Sequence, residues 1–119
     1  MKVLKSLLVL VVIVFLFNFS ACDTSENIFE YRVNCTTGSI FITYVNSDGG
    51  TSQIYANSSW SYKWSKVYGF YSGQFLYISA QNQQDSGALI VQIFKNGELC
   101  KESQSSGAYV VAVASVLIN

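Results

Sequence analysis

Hydrophobic and polar residues alternate in short runs through most of the chain after residue 27. The clearest run extends from Trp60 to Lys66, where Trp60, Tyr62 and Trp64 alternate with Ser61 and Lys63. A period of two places alternate side chains on opposite faces of a β-strand. We therefore expect a strand with one aromatic face and one solvated face.

Turn sequences separate these runs. Asn96-Gly97 supplies the two positive-φ positions of a type I′ turn, which predicts a hairpin between strands at 89–95 and 98–103. Residues 47–50, Ser-Asp-Gly-Gly, predict a second hairpin between strands at 39–45 and 51–56.

The remaining apolar runs complete an all-β pattern. Residues 75–80 and 109–116 are apolar on both faces, which is typical of central strands covered by a second sheet. A further run at 28–35 brings the expected count to seven or eight strands. The pattern predicts one antiparallel β-sandwich domain at residues 28–119.

The N-terminal residues have the order of a lipoprotein signal. Lys2 and Lys5 precede an apolar run at 7–17, and Phe19-Ser20-Ala21-Cys22 ends it. The run is shorter than the roughly 20 residues that span a bilayer as a helix. We expect a signal peptide at 1–21, an acylated Cys22 with a tether at 22–27, and a domain anchored in the bacterial cell envelope, facing the periplasm or exterior. The alternative is an ordinary secretory signal with an incidental cysteine.

The charged residues after Cys22 indicate which kinds of partner the domain can bind. After Cys22 the acidic residues outnumber the basic ones, and no basic stripe is present to neutralise phosphates, so no nucleic-acid binding is expected. The basic residues are Arg32, Lys63, Lys66, Lys95 and Lys101, and the acidic residues are Asp23, Glu26, Glu30, Asp48, Asp85, Glu98 and Glu102.

Two cysteines remain if Cys22 is acylated. An even pair, Cys35 and Cys100, in an oxidising compartment predicts one internal disulfide. The alternative is two thiols that never meet, because spacing alone does not show that their α-carbons approach closely.

The chain has no histidine, so it lacks the usual general base and the commonest transition-metal ligand. No enzyme activity, cofactor or metal site is expected. One aromatic set forms either part of the core or a sugar- or lipid-binding surface. Its members are Trp60, Tyr62, Trp64, Tyr68, Phe70 and Tyr71.

Several segments resemble the MmpS-like transport-accessory family. They are 42–46 (ITYVN) with Gly49-Gly50, Trp60, 73–82 ending in ISAQN, 91–97 (VQIFKNG) and 106–112 (SGAYVVA). The resemblance implies an immunoglobulin-like β-sandwich and an accessory role beside RND-type exporters. The anchor here is predicted to be a lipid rather than a transmembrane helix, and no site residue carries over.

A looser similarity links the chain to membrane-bound lysozyme inhibitors, through its short length, an early Cys35, a late Cys100 and a β-rich middle. We therefore expect a non-catalytic envelope lipoprotein that binds or assists an envelope protein, such as an RND-type membrane transporter. The alternatives are a lysozyme-inhibitor-like protein or a lipid- or glycan-binding β-sandwich.

Acylation at Cys22 is directly testable. Metabolic labelling with a fatty acid should mark the wild-type chain and a Cys100→Ser control, but not Cys22→Ser, because only Cys22 follows the apolar run. Equal labelling of all three chains would contradict the lipoprotein interpretation.

Overall fold

The structure is a computed structural model that describes residues 26–67 and 74–118, and every regular element in those ranges is a strand. The strands are β1 Glu26–Val45, β2 Thr51–Val67, β3 Gln74–Asn82, β4 Ala88–Lys95, β5 Glu98–Ser106 and β6 Val111–Ile118. All their pairings are antiparallel. The all-β, antiparallel prediction is confirmed. No helix in the described ranges is long and apolar enough to cross a membrane.

Strand β1 organises the whole sheet. One of its edges pairs with β2, while the other pairs first with β4, at residues 29–35, and then with β3, at residues 40–44. Strands β5 and β6 extend the sheet beyond β4 and β3. Two half-sheets result. The first half-sheet comprises residues 26–34, residues 59–67, β4 and β5, and the second comprises residues 39–45, residues 51–57, β3 and β6.

The described residues form six strands, rather than the predicted seven or eight. The runs at 28–35 and 39–45, predicted as separate strands, are one continuous strand, and so are those at 51–56 and 60–66. The Thr-Thr-Gly sequence at 36–38 resembles a turn, yet the chain stays extended through it. An immunoglobulin-like sandwich is therefore not confirmed.

A bulge lets β1 turn from one half-sheet into the other. Asn34 pairs with Ser59 and Ser39 with Asn57, so residues 35–38 of β1 lie opposite a single residue of β2, Ser58. Ser58 adopts a φ of 59°. Extra residues in one strand of a pair bend that strand and increase its twist. We call this bulge the corner.

The side chain of Asn82, which is fully buried, joins the segments that meet at the corner. Its Nδ2 donates to the carbonyl oxygen of Ser86 at 2.7 Å, and its Oδ1 accepts from the Thr37 hydroxyl at 3.2 Å. Gly87 lies beside them with a φ of 124°, and a Cβ there would lie 2.6 Å from Thr37 Oγ1. Only glycine fits this position without displacing Thr37.

Tyr31 holds the two half-sheets together at the centre of the core. Its ring is fully buried, and its hydroxyl donates to the carbonyl oxygen of Val45 at 2.8 Å and accepts from the backbone N–H of Tyr77 at 3.3 Å. Val45 and Tyr77 belong to the second half-sheet, whereas Tyr31 belongs to the first. The core around it comprises Phe29, Val33, Cys35, Ile40, Ile42, Tyr44, Trp64, Leu76, Ile78, Ala80, Leu89, Val91, Ile93, Ala112 and Ala114.

Both predicted hairpins are confirmed. Asn96 and Gly97 have φ values of 52° and 82°, as a type I′ turn requires. The Asn96 side chain also accepts a hydrogen bond from the backbone N–H of Ile28 at 2.9 Å, which fixes this turn against the start of β1. In the other hairpin, Gly49 takes a φ of 84°.

The prediction that β3 and β6 are covered on both faces is wrong. Leu76 and Ala112 are buried on the inner face, but Phe75 and Val113 on the outer face are 51% and 44% exposed. β6 is the last strand on its side of the sheet, and no further layer covers it among the described residues. An apolar pattern on both faces does not distinguish burial from an exposed apolar surface.

Tyr31→Phe should lower the free energy of unfolding by about 1–3 kcal/mol, because it leaves the Val45 carbonyl and the Tyr77 N–H without this partner. Urea denaturation of residues 23–119 would measure the loss. That segment contains the entire core cluster, so we expect it to fold without the leader.

Tyr55→Phe is the matched control, since the Tyr55 side chain is 74% exposed, and it should leave stability nearly unchanged. Burial also raises the pKa of Tyr31 to about 12. The stability that this shift contributes is complete below about pH 10, the pKa in the unfolded chain, and is lost as the pH rises through about 12. Equal losses for the two variants, with identical alkaline profiles, would contradict this role.

Candidate binding surfaces

The predicted site residues do not meet in the structure. Cys22 lies outside the described residues, and so do Tyr68, Phe70 and Tyr71 of the aromatic set. Cys35 and Cys100 are free thiols, the first buried and the second exposed. The predicted disulfide is therefore not formed in this structure.

The strand register explains why the two cysteines stay apart. Cys35 pairs with Leu89, and Leu89 pairs in turn with Ser105, five residues along β5 from Cys100. Two strand spacings amount to roughly 10 Å, and five residues along a strand to roughly 16 Å. A disulfide needs α-carbons within about 7 Å. The Cys35 thiol instead lies 3.6 Å from the Thr37 hydroxyl oxygen, at the corner.

Glu30 and Arg32, on the outer surface of the first half-sheet, form an ion pair. Arg32 donates to both carboxylate oxygens of Glu30, at 2.9 and 3.0 Å, and its guanidinium lies 4.2 Å from the centre of the Phe94 ring. The hydrogen bond from Arg32 lowers the pKa of Glu30, so this carboxyl stays ionised at neutral pH. Glu30 is therefore not a proton donor at neutral pH.

An open trough lies beside this ion pair on the outer surface of β1 and β2. It encloses about 300 Å³ and is lined by Glu30, Arg32, Val33, Asn34, Ser59, Trp60 and Ser61. Its side chains offer hydrogen bonds to a polar ligand. In the described ranges, no group of three or more His, Cys, Asp or Glu side chains is placed to hold a metal ion.

Three aromatic residues of β2, Trp60, Tyr62 and Trp64, form a row along the inner face of that strand. Trp60 stacks on Tyr62 with ring centres 6.2 Å apart, and Tyr62 lies 5.2 Å from Trp64. Tyr44, from the second half-sheet, contacts both Trp60 and Tyr62 at 4.9 Å. Trp64 is buried, whereas Trp60 and Tyr62 are half-buried. The row is therefore part of the core at one end and partly open at the other.

The partial exposure of this row follows from the position of β2. Within the described residues β2 pairs only with β1, so its second edge has no neighbouring strand. The free edge runs along a strand of 17 residues, Thr51–Val67. Unpaired backbone groups on such an edge can pair with a strand from another chain.

The two half-sheets differ sharply in charge. Residues 39–45, 51–57, 74–82 and 111–118, the strands of the second half-sheet, contain no Asp, Glu, Lys or Arg. The strands of the first half-sheet contain all the charged residues that lie in strands. These are Glu26, Glu30, Arg32, Lys63, Lys66, Lys95, Glu98, Lys101 and Glu102.

The outer face of the second half-sheet exposes large apolar side chains among uncharged polar ones such as Gln53. Phe75 and Leu117 pair across β3 and β6 and are 51% and 59% exposed. Tyr55 is 74% exposed and contacts Phe41, with ring centres 4.8 Å apart. We call this surface the uncharged face. Sequence patterning missed it because the same residues suit a buried strand, although the absence of charge was visible in the sequence.

Comparison of the chain with models of known protein families and with curated proteins finds no match.

The exposure of the two cysteines predicts different thiol reactivities. In the folded domain, a maleimide should alkylate Cys100 rapidly and Cys35 only after unfolding, because Cys35 is 8% exposed. Mass spectrometry of the alkylated chain without reduction would count the modified thiols. A domain that yields no thiol until it is reduced would instead establish the bridge.

Proposed function

We propose that the chain is a non-catalytic lipoprotein of the bacterial cell envelope, anchored through an acylated Cys22, that binds a partner protein through the free edge of β2. The domain faces the periplasm or the exterior. It takes part in no covalent chemistry and acts as a binding or accessory module.

The free edge of β2 is the observation that carries this proposal. Addition of an extended segment to an open edge forms backbone hydrogen bonds, and pockets for alternate side chains provide specificity. Trp60 and Tyr62 are half-buried beside this edge, so an added strand with apolar side chains at alternate positions would cover them. The polar outer side chains of β2, Ser61 and Lys63, would stay in water.

The resemblance to the MmpS-like family supports an envelope transporter of the RND type as the partner. A lipid anchor would support the same assignment, because tethering raises the effective concentration of membrane proteins around the domain. An immunoglobulin-like relationship remains part of this proposal. Such a relationship requires that the continuous strands β1 and β2 take the place of separate strands in the two sheets of an immunoglobulin-like sandwich.

Two other binding functions remain as alternatives. A lysozyme-inhibitor-like protein would bind lysozyme with the soluble domain alone. A glycan-binding protein would use polar groups such as those of the trough at Glu30, Arg32 and Asn34.

Crosslinking in intact cells tests the proposed partner. A photoreactive residue in place of Ser61, on β2, should capture an envelope protein, whereas the same residue in place of Asp85, in the exposed loop between β3 and β4, should not. Mass spectrometry would identify the adduct, and an RND-type transporter would support the accessory role. Equal capture at both positions, or no adduct at either, would contradict binding through β2.

A lysozyme assay separates the alternatives. Inhibition by stoichiometric amounts of residues 23–119 would replace the accessory role with that of an inhibitor. Retention on immobilised peptidoglycan fragments that is lost in Asn34→Ala would favour glycan binding in the trough.

A further inference from the structure

The uncharged face has a definite position relative to the start of the domain. Cys35 and Asn82 meet at the corner, with their side-chain atoms 3.8 Å apart. Farther from the corner, Tyr31 contacts Tyr77. The first half-sheet and β3 thus run away from the corner in the same direction. Their ends, at Glu26 and Gln74, lie at the same end of the domain.

The most exposed apolar pair of the uncharged face lies at that end. Phe75 and Leu117 are one residue from the ends of β3 and β6, next to the pair Gln74–Ile118. β1 therefore begins at the same end of the domain as Phe75 and Leu117. Three residues separate Cys22 from Glu26, so their α-carbons lie at most roughly 14 Å apart in a fully extended chain.

The absence of charge on the uncharged face suits contact with a lipid surface. The strands of this half-sheet carry no charged residue at all. Charged side chains are costly near the hydrocarbon of a bilayer, and tyrosines are favoured at its boundary with water. Tyr55 and Tyr77 lie on this face among its apolar side chains.

We infer that the uncharged face lies against the membrane, with Phe75 and Leu117 in contact with the lipid and the charged first half-sheet turned towards water. This inference rests on the proposed anchor at Cys22, because the anchor places a lipid surface within reach of this end of the domain. It leaves the edge of β2 beside residues 59–65 open to a partner.

Fluorescence quenching in vesicles tests the orientation. The acylated mature chain, carrying Cys100→Ser, is reconstituted into phosphatidylcholine vesicles that contain a lipid-borne quencher. A fluorophore is attached either at Val113→Cys, on the uncharged face, or at Ser61→Cys, on the outer surface of the first half-sheet. The label at 113 should shift its emission to the blue and be quenched, whereas the label at 61 should behave as in water.

A matched pair of variants shows which side chains hold the face on the lipid. Leu117→Ser, combined with Phe75→Ser, should reduce quenching of the label at 113. Leu99→Ser should not, although Leu99, on β5, is exposed to a similar degree, 49% against 59%. Equal quenching of the labels at 113 and 61 in an acylated, vesicle-bound chain would overturn this inference alone.

Two further results would also overturn the inferred orientation. One concerns the lipid anchor, and the other concerns what covers the uncharged face. A mature chain without acyl groups on Cys22, measured by mass spectrometry, would remove the anchor and this inference together. A photoreactive residue at Val113 that captures an envelope protein in cells would show that a protein occupies the face. Capture of lipid alone at that position would support the orientation.

Discussion

Strand β1 passes through both halves of the folded sheet, and the side chains that it buries change from odd-numbered to even-numbered between them. Side chains alternate along a strand, so β1 buries odd-numbered residues from Asn27 to Cys35 and would expose Ile40 and Ile42 if the alternation continued. The bulge at residues 35–38 shifts the alternation, and even-numbered residues are buried from Ile40 to Tyr44. Both half-sheets depend on this shift, because β4 and β3 pair with β1 on either side of it.

Two groups of polar interactions stabilise the folded sheet, and both bury hydrogen-bonding groups that need partners. Asn82 connects the bulge to the loops at the corner, and Tyr31 connects β1 to Val45 and Tyr77 at the centre of the core. The ISAQN sequence, whose last residue is Asn82, thus has a structural role. A chain with this sequence needs an amide at the corner whatever the domain binds.

The distribution of charge gives the domain two different surfaces on one continuous sheet. The Glu30–Arg32 ion pair and polar pairs such as Gln92 with Glu102 keep the outer surface of the first half-sheet in water. The polar side chains of the uncharged face, such as Thr43 and Gln53, are neutral. In the proposed arrangement, the lipid anchor, the uncharged face and the free edge of β2 are used together: the first two orient the domain on the membrane, and the third stays accessible to a partner.

Local chemistry in the sequence determined the strands, their alternation and the turns. Asn96-Gly97 predicted its hairpin because few other residues adopt two successive positive φ angles, and the alternation at Trp60, Tyr62 and Trp64 predicted one inward face. The tertiary structure alone decided that the predicted strands on either side of residues 36–38 are continuous, since a bulge and a turn share the same residue types. It also decided that Cys35 and Cys100 lie apart, because strand register depends on partners distant in the sequence. Whether the apolar residues of β3 and β6 are covered depends on the layers around them, which no local pattern specifies.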